Sequence, residues 1–105
     1  MLQNDKLLFL KINDLLSDNP SISLFELARI VGVDRHKLQQ HIHEFTNKTF
    51  REYQKGKKIL RVIKILGEKE DIRVKEIASL LKYRSPKAFS RFIKNTTGRT
   101  TKHLR

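Results

Sequence analysis

Apolar residues recur along this chain at the three- and four-residue spacing that gathers them on one side of a helix. From Asp5 to about Ser17, Leu8, Ile12, Leu15 and Leu16 keep that spacing, and Asp18-Asn19-Pro20 ends the run. Ser23 and Glu26 have the spacing of a capping box, in which a hydroxyl and a carboxylate each accept a free backbone N–H. They open a short helix with Leu27, Ala28 and Val31 inward, ending before Gly32. Asp34 caps the next helix, which runs through Phe45 with Leu38, Ile42 and Phe45 inward and His36, Gln39, Gln40 and His43 outward. Thr49 and Glu52 form another capping box, opening a long helix from Phe50 to Leu66 that carries Ile59, Val62, Ile63 and Leu66 and is predicted to stop at Gly67. At ~1.5 Å per residue it is a rod of roughly 25 Å.

In the last third, Glu76 to Leu81 is predicted as a helix with Ile77, Ala78 and Leu81 on one side. A second helix starts where Ser85 caps and Pro86 fills the first helical position. Wound at about 100° per residue, it sends Ala88, Phe89, Phe92 and Ile93 to one face and Pro86, Lys87, Ser90, Arg91 and Lys94 to the other. A small residue in the first helix, a tight corner, and a second helix apolar inside and cationic outside describe a helix-turn-helix whose second helix can enter a major groove. The segment around Asp34 repeats it at an offset of about fifty residues, Leu27-Ala28 matching Ile77-Ala78 and Asp34 to Leu38 matching Arg84 or Ser85 to Phe89. The expected fold class is all-α: two tandem helix-turn-helix units, 1–48 and 68–105, joined by a linker helix over 49–67.

Length confines the 105 residues to one compact domain or two very small units, which excludes an extended multidomain enzyme. Absence of Cys removes disulfides and thiolate metal sites. Lys6, Lys11 and Asp14 break the apolar run near the N-terminus, so neither a signal peptide nor a membrane span is expected, and a cytoplasmic protein is. The formal net charge is +12. It is uneven: 48–66 carries +6 and 84–105 carries +7 without one carboxylate, while 1–22 carries −1 and 23–47 and 67–83 are neutral. Clustering on the proposed groove helix favours a polyanion over a merely solvated basic surface, and nucleic acid is the commonest polyanion partner.

Other chemistry finds no support. His41 and His43 are two apart and point about 160° away from each other on a helix, and no Cys or carboxylate completes a ligand set, so neither metal nor cofactor is expected. Nothing has the form of a nucleophile elbow, a phosphate loop or paired carboxylates, so no catalytic residue is assigned and the chain is not expected to be an enzyme.

The run Ile77-Ala78, Tyr83, Phe89-Ser90-Arg91, Lys94 and Gly98 resembles the C-terminal signature of the AraC/XylS-type transcription regulators, and Phe50, Tyr53 and Lys58 resemble that family's linker-helix motif. Lys82 stands where the signature usually has Gly, Ile93 where it has Phe, Thr101 where it has Pro, and Lys58 where the linker has Arg. The resemblance covers about Leu8 to Arg105 and implies a regulator that binds double-stranded DNA through two recognition helices, about Arg35–Phe45 and Pro86–Asn95. Family members often activate transcription by touching RNA polymerase, which makes RNA polymerase a candidate partner, and a monomer is expected to suffice. The expected DNA-binding residues are Arg35, His36, Gln39, Gln40, His43, Arg84, Ser85, Lys87, Ser90, Arg91 and Lys94. Gln side chains can pair with adenine N6 and N7, and Arg91 with guanine O6 and N7, whereas Lys87, Lys94 and Arg84 suit phosphates. A sequence-independent nucleoid or RNA-associated protein is the alternative. It would use the charge but would not need two groove helices of different chemistry.

Overall fold

Capping residues decide where most of the elements begin in the computed structural model, which describes residues 3–104. Among the described residues there are seven helices and no strand: α1 (Gln3–Asp18), α2 (Leu24–Val31), α3 (Arg35–Thr46), α4 (Phe50–Glu68), α5 (Val74–Leu80), α6 (Pro86–Thr97) and α7 (Thr101–Leu104). They form two compact units, one ending at Lys57 and the other starting at Lys58, so that α4 belongs to both. The expected all-α fold with two helix-turn-helix elements, α2–α3 and α5–α6, is the fold observed. Among the described residues no helix is long and apolar enough to cross a membrane.

In the first unit Ile12, Leu16, Leu27, Leu38 and Ile42 are fully buried, and Phe50 and Tyr53 from the start of α4 pack against them. Polar bonds fix that start of α4. The Tyr53 hydroxyl donates to Asn13 Oδ1, Gln54 Nε2 donates to the Ile22 carbonyl at 2.6 Å, and Lys57 Nζ donates to Ser17 Oγ at 3.0 Å. Phe9, which the apolar spacing did not single out, stands edge-on to Phe45 with ring centroids 4.7 Å apart.

The second unit buries Val62, Ile65, Leu66, Ile72, Ile77, Ala78, Leu81, Phe89 and Ile93 together. Lys58 lies over the rings of Tyr83 and Phe92, 5.2 and 5.6 Å from their centroids, and its partial burial lowers its pKa from the ordinary lysine value. An ammonium over an aromatic face is attracted by the ring quadrupole, which offsets part of that desolvation. Burial also pushes the Tyr83 phenol up to about 12.

Four local expectations are corrected. Gly67 does not stop α4: the helix continues to Glu68, and the Lys69 amide still bonds the Ile65 carbonyl at 2.9 Å. Glycine ends a helix by adopting positive φ, and Gly67 does not. Ile63 is 47% exposed, because the inward side of α4 centres on Val62, Ile65 and Leu66. The helix expected at Glu76 begins at Val74, where Arg73 is the N-cap and its amide donates to Glu76 Oε1 at 3.3 Å. At Ser23 only half of the box forms: Ser23 Oγ accepts the Glu26 amide at 3.0 Å, while the Glu26 carboxylate turns to Arg29.

Lys82, in the corner before α6, has φ 60. A side chain at positive φ costs roughly 1–2 kcal/mol and the extra chain entropy of glycine returns part of that, so Lys82→Gly is expected to stabilise the protein by about 0.5–1 kcal/mol. Asn47, at φ 61, is of a type that tolerates this conformation, so Asn47→Gly should change stability by less than about 0.5 kcal/mol. Paired urea titrations compare the two, and equal shifts would show that left-handed strain at Lys82 is not what distinguishes them.

Candidate nucleic-acid interface

Asp34 sets the start of α3 by accepting the Lys37 amide at 2.9 Å, and from that start the helical period decides which residues face out. Arg35, His36, Gln39, Gln40 and His43 are all exposed, while Leu38, His41 and Ile42 are buried. His41 therefore belongs to the inner side. Its Nε2 lies 3.9 Å from Asp5 Oδ1, and its Nδ1 is buried with no partner among the described residues. Among those residues no group of His, Cys, Asp or Glu is arranged to hold a metal ion.

His36, Gln39, Gln40 and His43 do not stand on a flat surface. They form one side of a groove of about 530 Å³ whose other side is Thr49, Phe50 and Arg51 at the start of α4, with Glu44 also lining it. Sequence periodicity could not bring Arg51 to this face, since the juxtaposition depends on the turn between two helices. The signal for it was the basic block that opens at Lys48. Thr49 and Glu52 complete their capping box: Glu52 Oε1 accepts both the Thr49 amide at 3.2 Å and the Thr49 hydroxyl at 3.0 Å, and Thr49 Oγ1 accepts the Glu52 amide at 3.2 Å. The bond from the Thr49 amide, followed by that from its hydroxyl, holds the Glu52 carboxyl below the usual carboxylate range.

In the second unit Ser85 caps α6 by accepting the Ala88 amide at 3.1 Å, and Pro86 occupies its first turn. The Ser85 hydroxyl is thus engaged in the cap and half-buried. Arg84, Lys87, Ser90, Arg91 and Lys94 are exposed, opposite the fully buried Phe89 and Ile93. Lys94 Nζ reaches the Gly98 carbonyl at 3.5 Å, close to the C-terminal end of α6, where a cation is favoured by the helix dipole. Each unit therefore presents one exposed polar helix face, amide and imidazole on α3, hydroxyl and guanidinium on α6.

A family model described as a helix-turn-helix domain matches residues 27–105. Among solved structures, the chain is similar to a transcriptional regulator with an AraC-type DNA-binding domain from Chromobacterium violaceum. The identity is 18% and the TM-score 0.81, over 99% of this chain and 94% of that one. No curated protein matches the sequence. With the family match covering most of the chain, and with two helix-turn-helix elements bearing the signature at Ile77-Ala78, Tyr83 and Phe89-Ser90-Arg91, the chain belongs to the AraC-type helix-turn-helix family of DNA-binding transcription regulators, which are not enzymes.

Proposed function

We propose that this protein is a sequence-specific regulator in which α3 and α6 enter adjacent major-groove segments of one asymmetric site in double-stranded DNA, and that a single chain suffices for binding. The observation that carries the reading is the face of α6: Lys87, Ser90, Arg91 and Lys94 are exposed together without a carboxylate in 84–105, on a helix whose opposite side is locked into the core by Phe89 and Ile93. A rigid helix with cationic and hydrogen-bonding groups on its free side suits a major groove, where base edges present acceptors and donors between two rows of phosphates. The Gln39 and Gln40 amides on α3 supply a different chemistry, and two different readers imply two different half-sites. An activating role, through contact with RNA polymerase, is supported by the family resemblance.

Competition between a duplex recovered by selection from a random pool and an unrelated duplex, at physiological salt, tests this reading. Specific binding should exceed nonspecific by ~10³ or more. Equal affinity for the two would leave a sequence-independent binder.

Arg91→Ala is expected to relax preference at one or two base positions and to cost ~1–3 kcal/mol at the best site, because a bidentate contact to guanine is lost. Lys94→Ala should weaken all sequences alike. Profiling both variants over one binding-site library separates these outcomes, and the same uniform loss in each would show that Arg91 is not a reader.

A further inference from the structure

The corner that follows α3 recurs after α6. Residues 46–51 are Thr-Asn-Lys-Thr-Phe-Arg and residues 97–102 are Thr-Gly-Arg-Thr-Thr-Lys, and the backbone bonds repeat with the residues. Thr46 Oγ1 donates to the Ile42 carbonyl at 2.6 Å and accepts the Lys48 amide at 3.1 Å, and Thr97 Oγ1 donates to the Ile93 carbonyl at 2.8 Å and accepts the Arg99 amide at 3.1 Å. Asn47 and Gly98 both turn the chain at positive φ, 61 and 75. A helix then starts within three residues in each case, α4 at Phe50 and α7 at Thr101.

Both copies thus fix two cations at the same register behind a groove helix: Lys48 and Arg51 in the first unit, Arg99 and Lys102 in the second. All four are exposed, and neither salt bridge found among the described residues involves them. Arg51 has the clearest setting. It lines the groove beside α3, with the Phe50 ring as an apolar neighbour, and it sits in the first turn of α4, where the helix dipole disfavours a cation. A side chain that works against its own helix, in a groove shared with the proposed base readers, is better explained by an external anion than by folding. The major groove supplies one in the right place, because the sugar-phosphate strands form ridges along both its edges.

We infer that the repeated corner is a phosphate clamp, in which Arg51 with Lys48, and Lys102 with Arg99, hold the DNA strand that borders the groove entered by the preceding helix. The inference rests on the double-stranded DNA reading of α3 and α6 and assigns four further positioning residues to it.

Arg51→Gln, Lys102→Gln and the double variant are measured against wild type on a duplex recovered by the wild type from a random pool and on a scrambled duplex, over a range of salt. Each single variant should lower the slope of log affinity against log salt by about 0.9, and the double variant by about 1.8, because each phosphate contact releases about that many counterions. At 0.1 M salt that corresponds to losses of about eightfold and about sixtyfold. Both duplexes should lose equally, Arg51→Lys should keep the wild-type slope, and the thermal midpoint of Arg51→Gln should be unchanged or raised. An unchanged slope in the double variant overturns the clamp. So does a loss confined to the recovered duplex, which would make these residues base readers. Should wild type fail to prefer the recovered duplex, the sequence-specific reading falls, while the slopes on the scrambled duplex still decide the clamp.

Discussion

Phe89→Ala is expected to unfold the second unit at temperatures where the wild type is fully folded. Phe89 is fully buried at the centre of the cluster formed by α4, α5 and α6, and its ring meets Tyr83 at a centroid distance of 5.4 Å. Removing a buried phenyl costs ~3–5 kcal/mol in lost transfer energy and residual cavity. A whole small domain has only ~5–15 kcal/mol of stability, and units this small lie at the low end. The loss should therefore exceed what packing around the cavity can recover. Chemical denaturation should show the midpoint falling by an amount equivalent to ~3 kcal/mol or more. Backbone resonances from α5 and α6 should collapse while those from α1 to α3 persist, since the first unit has its own core around Ile12, Leu27 and Leu38. A shift below ~1 kcal/mol would mean that the cavity collapses and that Phe89 does not anchor α6.

That anchoring was legible in the sequence because it follows from period alone. Phe89 and Ile93, four apart, must share a side, and Ser85-Pro86 fixes where the helix starts, so the outward positions of Lys87, Ser90, Arg91 and Lys94 follow. The same holds for Asp34 and α3. What the sequence did not disclose depends on conformation or on contacts distant along the chain. Glycine serves both as a helix terminator and as a tolerated helical residue, so Gly32 was recognisable as an end while Gly67, chemically identical, lies inside α4. Arg73 is a poor N-cap by residue type, and α5 starts there because Glu76 reaches back to its amide. Arg51 had the right charge, and only the turn at Asn47 carries it into the groove beside Gln39 and His43.

Inserting 5 bp between the two halves of the recognised site is expected to abolish specific binding, with affinity falling to the nonspecific level, ~10³ or more below the intact site. The expectation follows from the proposal that two unlike groove helices in one chain read one duplex. Symmetry of a protein is mirrored in its site, so α3 and α6, which differ in sequence, require a non-palindromic pair of boxes. Helices that meet the same face of the duplex enter groove segments about one turn apart, ~34 Å or ~10 bp. α4 is one continuous helix that supplies Phe50 and Tyr53 to the first core and Val62, Ile65 and Leu66 to the second, which supports the proposal of a short link between the two readers. Five added base pairs turn the second box through about half a helical turn, to the far side of the DNA, where on this proposal the second reader does not follow it. Ten added base pairs restore the face but add ~34 Å of distance, which exceeds the whole ~28 Å length of a 19-residue helix, so they should recover little. Bending the duplex could recover a small mismatch at a cost of order 1–6 kcal/mol, and a half-turn rotation is not a small mismatch. Gel-shift titrations of the intact, 5 bp and 10 bp sites against one scrambled competitor give all three values. Unchanged affinity at 5 bp would show that a single unit reads the DNA, and variants of α3 and α6 would then reveal which one.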